Sequence, residues 1–238
     1  MPPRLHVPLP LKEGDLLALP DGAVRHVQVL RLQPGMPVTL FNGQGGEWPA
    51  EIVEMGRKQA SVRIGARSEV DRELPFAVTL ALGMPANDRM DALVEKATEL
   101  GVAAIQPLVC ERSVLRLAGE RAKRRCEHWQ GIATAAAEQS GRTRVPTIAP
   151  VQELPRWLAA QQEAATARWL LSLGDARPLA AMGLPQRTVS VLSGPEGGLS
   201  PVEEAIARDA GFQAVSLGPR VLRADTAPLA VLATLGLR

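Results

Sequence analysis

Two glycine-bearing segments near the C-terminus are the part of this chain most typical of a ligand site. Segment 193–198 reads SGPEGG and follows the apolar run 189–192, and Gly218-Pro219 follows the apolar run 214–217. Glycine permits positive φ and close approach of the main chain to a ligand. In open α/β sheets, ligands bind outside the carboxyl ends of the strands. One such segment alone would be an ordinary turn, but two, with Arg220 and Arg223 beside the second, indicate one site built largely from main-chain groups.

The residues after the first segment predict a helix. Ser200 is a favourable N-cap, Pro201 suits the first helical position, and Glu203 completes an S-x-x-E capping box. Gly211 supplies the C-terminal stop, and a last helix is predicted from about Asp225. Each of the two predicted strands therefore ends in a loop that leads into a helix.

Composition is that of an ordinary folded protein. The chain has 238 residues, of which 46% are hydrophobic and 22% charged, and its net charge is +2. A charge this small does not by itself indicate nucleic acid as a partner. Aromatic residues make up 3% of the chain and tyrosine is absent, which argues against wide stacking platforms for single-stranded RNA.

Several other function classes are disfavoured by missing motifs. Cys110 and Cys126 lack metal-site spacing, and the three histidines are scattered. We therefore expect no metal and two reduced thiols in a cytoplasmic protein, since no signal peptide and no membrane-spanning run is evident. No strand is followed by a Rossmann or P-loop fingerprint, and neither a G-x-S-x-G elbow nor an H-E-x-x-H motif occurs.

The first part of the chain, residues 1–70, is predicted to be a small β-barrel domain. Strands are expected over 37–41, 47–53 and 59–64, with the Asn42-Gly43 turn between the first two. A helix is expected near 22–30. The polar segment 66–75 ends in proline and is the best candidate for a linker.

From residue 76 the pattern changes to alternating apolar strands and amphipathic helices. Strands are predicted over 76–82, 102–109 and 168–173, and a helix is predicted from Asn87 or Asp88 to Gly101. Further helices are expected over 118–139 and 151–162. Such alternation indicates an α/β domain with a parallel sheet over residues 76–238.

At three places the residues match a known family. The segments AAEQSGR at 136–142, GPEGGLSPVE at 194–203 and LGPRVLRADTA at 217–227 resemble the SPOUT methyltransferases. They are most similar to the RsmE-type enzymes, which methylate N3 of a uridine in small-subunit (16S) ribosomal RNA. The resemblance implies a SPOUT-like α/β domain with a C-terminal trefoil knot, a PUA-like barrel that binds RNA, and a homodimer. It also implies S-adenosyl-L-methionine as the cofactor.

The resemblance implies cofactor contacts from the ends of three strands. The implied cofactor residues are Leu171, Ser172, Leu173, Gly194, Pro195, Glu196, Gly197, Gly198, Leu217, Gly218, Arg220, Val221, Leu222 and Thr226. A β-branched side chain placed at Gly197 is expected to enter this backbone-lined space and to abolish cofactor binding.

Methylation of uridine N3 requires loss of its proton, and nearby cations would stabilise the resulting anion. The candidates for this catalytic role are Arg220, Arg223 and Arg142; alternatively, these arginines bind phosphate or pair with Glu196 and Asp225. No residue stands out as a general base. The expected RNA-binding residues are Arg25, His26, Arg31, Arg112, Gln139 and Arg142, although Arg25, His26 and Arg31 could equally form a solvated helix face.

Two departures from the family pattern bear on the site. Residues 85–88 read PAND where the family has a Lys-Gly-[Asp/Glu] turn, and Ala224 and Asp225 stand where Thr and Glu are usual. Two alternatives to the RsmE-type activity remain open. One is methylation of another RNA such as transfer RNA, and the other is a non-catalytic RNA-binding factor in ribosome assembly.

Overall fold

A computed structural model describes residues 2–86, 88–161 and 167–237. The chain forms two compact units, one of residues 1–73 with 137–145 and one of residues 74–136 with 146–238. The elements of the first unit are β1 (Arg4–His6), β2 (Leu16–Ala18), α1 (Asp21–Val29), β3 (Pro37–Phe41), β4 (Trp48–Met55) and β5 (Ala60–Ile64). The remaining elements are β6 (Ala77–Gly83), α2 (Asp88–Glu99), β7 (Ala104–Val109), α3 (Gly119–Ser140), β8 (Thr147–Ile148), β9 (Gln152–Glu153), α4 (Leu154–Ala159), β10 (Ala167–Leu171), β11 (Arg177–Pro178), a 3-10 turn (Leu179–Ala181), β12 (Thr188–Ser193), α5 (Pro201–Asp209), β13 (Gln213–Ser216) and α6 (Thr226–Gly236).

The first unit is built on a mixed sheet in the order β1-β3-β4-β5-β2. β1 is parallel to β3, and the other neighbours are antiparallel. The predicted strands β3, β4 and β5 and the helix α1 are confirmed. The Asn42-Gly43 turn joins β3 to β4, and Gly43 has a φ of +82°, which explains the need for glycine there. The sequence prediction missed β1 and β2 because three residues each are too few to show a period.

Residues 137–145 belong to the first unit, whereas the sequence suggested that they lie in the second domain. Glu138, near the end of α3, accepts the backbone N–H of His6 at 2.8 Å and contacts His26 Nδ1 at 3.2 Å. Burial raises the pKa of the Glu138 carboxyl, while these hydrogen bonds favour its charged form. Glu138 therefore attaches the end of α3 to the first strand of the sheet and to α1.

A buried ion pair fixes the turn beyond α3. Arg142 is 4% exposed, and its Nε donates to both carboxylate oxygens of Glu73 at 3.1 and 3.2 Å. The Arg142 carbonyl accepts a hydrogen bond from Arg4 at 3.0 Å. Arg4 also pairs with Glu47, a carboxylate that Arg72 contacts as well. The charges of this turn are therefore neutralised within the first unit.

The second unit contains a parallel sheet in the order β11-β13-β10-β12-β6-β7-β8, with β9 also paired to β7. Every neighbouring pair is parallel, so the predicted α/β class is confirmed. β6 and β12 lie in the middle and are almost wholly buried, as expected when helices cover both faces. The trefoil knot that the resemblance implies stays a prediction.

The predicted helices of the second unit form, with one change. α2 buries the stripe Met90, Leu93, Val94 and Ala97, and its predicted cap at Asn87 lies outside the described residues. The helix predicted over 151–162 is shorter: α4 spans Leu154–Ala159 because residues 152 and 153 pair with β7. Gln162, its predicted end, also lies outside the described residues. No helix in the described part of the chain has both the length and the apolar character needed to cross a bilayer.

The buried ion pair leads to a stability prediction. Glu73→Gln removes the carboxylate charge that neutralises the almost fully buried guanidinium of Arg142, so we expect the free energy of unfolding to fall by about 3 kcal/mol. Urea denaturation followed by circular dichroism measures this change. The matched control is Glu69→Gln, because Glu69 pairs with Arg67 at the surface and should change stability by less than about 1 kcal/mol. Equal effects of the two substitutions would show that the Glu73–Arg142 pair has no special role.

Candidate functional site

A cavity of about 790 Å³ opens in the second unit at the carboxyl edge of β10, β12 and β13. These three strands are neighbours, with β10 in the centre, so the loops that follow them converge on one place. The volume is typical of a small-molecule site. The lining residues are Arg89, Arg112, Leu171, Ser172, Leu173, Gly174, Ser193, Gly194, Pro195, Glu196, Gly197, Gly198, Leu199, Glu204, Val215, Leu217, Gly218, Arg220, Val221, Leu222, Arg223, Ala224 and Ala227.

The loop after β12 is a tight turn that requires glycine. Gly198 donates its N–H to the Pro195 carbonyl at 2.8 Å and has a φ of +69°. A Cβ at Gly194 would lie 2.8 Å from the backbone nitrogen of Leu199, which is closer than real Cβ contacts. A larger residue at position 194 would therefore force the turn open, and the cavity wall is made of main chain for this reason.

Side chains from the loop after β7 hold this turn in place. Arg112 Nη1 donates to the carbonyls of Gly197 and Leu199 at 3.1 and 3.2 Å. The predicted capping box of α5 is present, and its Glu203 also accepts the backbone N–H of Glu111 at 2.8 Å. Arg112 thus supports the wall of the cavity through Nη1, and its contact with RNA stays a prediction.

The structure corrects the expectation for Gly197. A Cβ at this position would lie 3.0 Å from the Cβ of Arg112. A side chain there would therefore contact Arg112. A substitution at Gly197 would disturb the hydrogen bonds by which Arg112 supports the loop, so its effect on cofactor binding would not report on the cavity alone.

The other two walls come from the ends of β10 and β13. Ser172 donates its backbone N–H to the Val215 carbonyl at 3.1 Å, and its Oγ accepts the N–H of Gly174 at 3.2 Å. Gly218 has a φ of +106° and donates its N–H to Ser216 Oγ at 3.2 Å. Three sharp turns thus present main-chain atoms to one space, together with the apolar side chains of Leu171, Leu173, Leu217, Val221 and Leu222.

Arg220 and Arg223 line the cavity, and both are exposed. Within the described residues, neither forms an ion pair or a side-chain hydrogen bond. Their alternative partner Glu196 instead accepts the backbone N–H of Ala86 at 2.9 Å and lies 3.5 Å from Arg89. The other alternative partner, Asp225, has a buried Oδ1 without a hydrogen bond. The two arginines are therefore available to a ligand.

Other predicted site residues do not line this cavity. Thr226 lies just past its edge at the start of α6. Arg142, predicted as catalytic and as RNA-binding, is buried against Glu73, and this contact favours a structural role. Arg25, Arg31 and Gln139 are exposed in the first unit, and His26 is half-buried beside Glu138; their contact with RNA stays a prediction.

Sequence reasoning missed two charged residues of the cavity, Arg89 and Glu204. Arg89 belongs to the helix after β6, and β6 is the neighbour of β12 in the sheet. That neighbourhood is a property of strand order, which no local pattern reveals. Glu204 follows the capping residue Glu203 in α5, and nothing in the sequence distinguishes it from an ordinary exposed residue of a first helical turn.

Comparison with known proteins assigns the class of the fold and the site. The family model of the RNA methyltransferase domain matches residues 72–236, and that of the RNA methyltransferase PUA domain matches residues 19–65. The chain therefore belongs to the RNA methyltransferase family, with a PUA domain in its N-terminal part.

Curated relatives of this chain carry the name ribosomal RNA small subunit methyltransferase E. The protein from Synechocystis sp. is 35% identical over 210 residues, 87% of this chain and 67% of the relative. The protein from Bacillus subtilis is 30% identical over 233 residues, 94% of this chain and 91% of the relative.

Solved structures agree with this assignment. A ribosomal RNA small subunit methyltransferase E from Neisseria gonorrhoeae bound to S-adenosyl methionine superposes with a TM-score of 0.94 at 37% identity, covering 100% of this chain and 98% of that one. A putative methyltransferase from Legionella pneumophila, in complex with the same cofactor, also gives a TM-score of 0.94, at 34% identity and the same coverage.

The support of the glycine turn by Arg112 can be tested directly. Arg112→Ala leaves the carbonyls of Gly197 and Leu199 without this donor, so we expect faster hydrogen exchange of the Gly198 amide because the turn opens more often. Exchange followed by mass spectrometry or NMR measures the change. Arg121→Ala, on the exposed face of α3, is the control and should leave this amide unchanged. If Arg112→Ala had no effect on exchange, the turn would be rigid without that side chain.

Proposed function

We propose that this chain transfers a methyl group from S-adenosyl-L-methionine to N3 of a uridine in small-subunit (16S) ribosomal RNA. The observation that carries the proposal is the cavity at the carboxyl edge of β10, β12 and β13, where three main-chain turns meet Arg220 and Arg223, two arginines without a side-chain partner among the described residues. The relatives that share this fold along nearly the whole chain carry the name of a ribosomal RNA methyltransferase.

The residues present fit this cofactor. The turns 172–174, 194–198 and 217–222 can present N–H and C=O groups to the edge of an adenine ring, and Leu171, Leu173, Leu217 and Leu222 can flank its faces. A Cβ at Gly194 would meet the backbone of Gly198 and Leu199, so glycine there permits the tight turn that forms this wall. Thr226 is omitted from the proposed cofactor residues because it lies outside the cavity lining.

The arginines supply the charge that the chemistry requires. When bound, S-adenosylmethionine provides an electrophilic methyl group on a sulfonium. The weakly acidic N3–H of uracil must lose its proton to solvent water, and Arg220 and Arg223 would stabilise the negative charge that develops on the imide. The loops themselves act by positioning, which brings the nucleophile and the methyl group together in a fixed orientation.

The catalytic role of the two arginines gives a kinetic prediction. We expect Arg220→Ala and Arg223→Ala each to lower kcat by roughly 10²-fold, because each removes one stabilising donor from the developing anion. The affinity for S-adenosylmethionine, measured by calorimetry, should change little if the adenine is held by main-chain groups. Single-turnover methyl transfer to small ribosomal subunits from a deletion strain measures the rate.

Lysine at either position is the matched variant, since it keeps the charge but loses the planar donor pair. Partial recovery of kcat by Arg223→Lys would support electrostatic stabilisation. Loss of cofactor affinity in the alanine variants with an unchanged kcat at saturating cofactor would contradict the catalytic assignment, and would leave these side chains with a binding role only.

The target of methylation is tested by mapping modified nucleosides. Deletion of the gene should remove one 3-methyluridine from 16S ribosomal RNA, as detected by mass spectrometry of nuclease fragments, and the purified chain should restore it. Loss of the nucleoside from transfer RNA instead would establish the first alternative. If wild-type chain bound no S-adenosylmethionine at millimolar concentration, the second alternative, a non-catalytic assembly factor, would replace the proposal.

The proposal includes an RNA contact through the first unit and a homodimer in the cytoplasm. Arg25 and Arg31 are exposed on and beside α1 and are the proposed contacts with RNA phosphates. The large apolar side chains of Val221 (78% exposed) and Leu237 (89% exposed) are candidates for burial in such a homodimer. Sedimentation equilibrium should give twice the chain mass of 25.4 kDa, and a mass equal to that of one chain would exclude the dimer.

A further inference from the structure

Four arginines line the proposed cofactor cavity, and three of them have an assignment. Arg112 is engaged by two carbonyls of the glycine turn, and Arg220 and Arg223 are the proposed stabilisers of the anion. Arg89, in the first turn of α2, is the fourth, and neither the proposed chemistry nor the support of the walls requires it.

The contacts of Arg89 are weak for a cavity residue. Its side chain is 45% exposed, and within the described residues its one polar partner is Glu196, with Nη1 to Oε1 at 3.5 Å. That carboxylate oxygen also accepts the backbone N–H of Ala86 at 2.9 Å. Glu196 is therefore satisfied without Arg89, while most of the five N–H donors of the Arg89 guanidinium remain available.

A structural role does not account for this side chain. An exposed ion pair at such a distance contributes little to stability, and no aromatic ring stacks on the guanidinium among the described contacts. The neighbouring acid of α2, Asp91, is occupied on the other side by His128 and Trp129 of α3. Asp91 therefore does not compete for Arg89.

We propose that Arg89 binds a backbone phosphate of the RNA strand whose target base enters the cavity, a role that rests on the proposed function. Phosphate oxygens are the commonest protein contacts of nucleic acids, and the planar guanidinium binds them bidentately. Arg89 stands at the edge of the cavity with its donors exposed, where a strand passing over the opening would run. Its long contact with Glu196 keeps the guanidinium at this edge and is weak enough to be exchanged for a phosphate.

The test compares three variants of Arg89 with one control in the full-length chain. Arg89→Ala removes the charge, Arg89→Lys keeps it, and Arg89→Glu reverses it. Arg187→Ala is the matched control, because Arg187 is exposed and precedes β12, at the opposite edge of the sheet from the cavity. The RNA probe is the small ribosomal subunit from the deletion strain, bound over a series of potassium chloride concentrations. S-adenosylmethionine and 5′-methylthioadenosine, which lacks the amino-acid carboxylate, are the small-molecule probes.

We expect Arg89→Ala to weaken RNA binding by about two- to five-fold, which is the range measured for exposed charge pairs. The slope of log K for RNA binding against log potassium chloride concentration should fall in magnitude by about one. Arg89→Lys should recover most of the affinity, Arg89→Glu should lose more, and Arg187→Ala should match wild type. The KM for RNA should rise while kcat and both small-molecule affinities stay unchanged.

Three results would overturn the proposal. Unchanged RNA affinity in Arg89→Ala and Arg89→Glu would exclude the phosphate contact. Weaker binding of S-adenosylmethionine with unchanged binding of 5′-methylthioadenosine would assign Arg89 to the carboxylate of the cofactor. An equal loss of affinity for S-adenosylmethionine and for 5′-methylthioadenosine would show that Arg89 instead maintains the shape of the glycine turn. Failure of the proposed function itself is separate, since wild-type chain would then neither bind S-adenosylmethionine nor methylate the subunit.

Discussion

The site depends on the order of three parallel strands. β12 and β13 are not consecutive in the sheet, since β10 lies between them and is paired to both. Because all three are parallel, the loops after residues 171, 193 and 216 leave the sheet at the same edge, where an open α/β sheet binds its ligands. Main-chain turns whose starts are 22 to 45 residues apart in sequence therefore form one cavity. Without that order, each turn would be an ordinary connection between a strand and a helix.

The roles of the arginines follow from their partners rather than from their positions in a motif. Arg142 lies in a segment with a clear sequence signal, and Arg112 lies in the loop after β7. Arg142 pairs with Glu73, and Arg112 donates to two carbonyls of the glycine turn. A guanidinium already engaged in this way stabilises its surroundings and is less available to a ligand. Arg220 and Arg223 have no such partner among the described residues, and an exposed cation beside a cavity can respond to charge that develops in a reaction.

Local elements were predictable to the extent that local physics controls them. The stripe of α2, the capping box of α5 and the Asn42-Gly43 turn depend on residues within one or two turns of chain, and all three form as predicted. The helix over 151–162 was predicted too long because pairing of residues 152 and 153 with β7 competes with helix formation. Residues 137–145 group with the first unit because Glu138 and Arg142 contact residues of that unit that are distant in sequence, and no local pattern reveals such contacts.

The sequence by itself determined the α/β class and the glycine turns at 193–198 and 218–219, because strand ends and glycines have a local signature. The resemblance to a known family implied most of the residues that line the cavity. Tertiary structure alone decided that β6 lies beside β12, which brings Arg89 to the cavity. It also decided that Arg112 and Arg142 have side-chain partners, whereas Arg220 and Arg223 have none among the residues that the structure describes. The reason is physical: the conformation of a turn depends on its own residues, whereas the availability of a charge depends on which distant groups the fold brings within hydrogen-bonding distance.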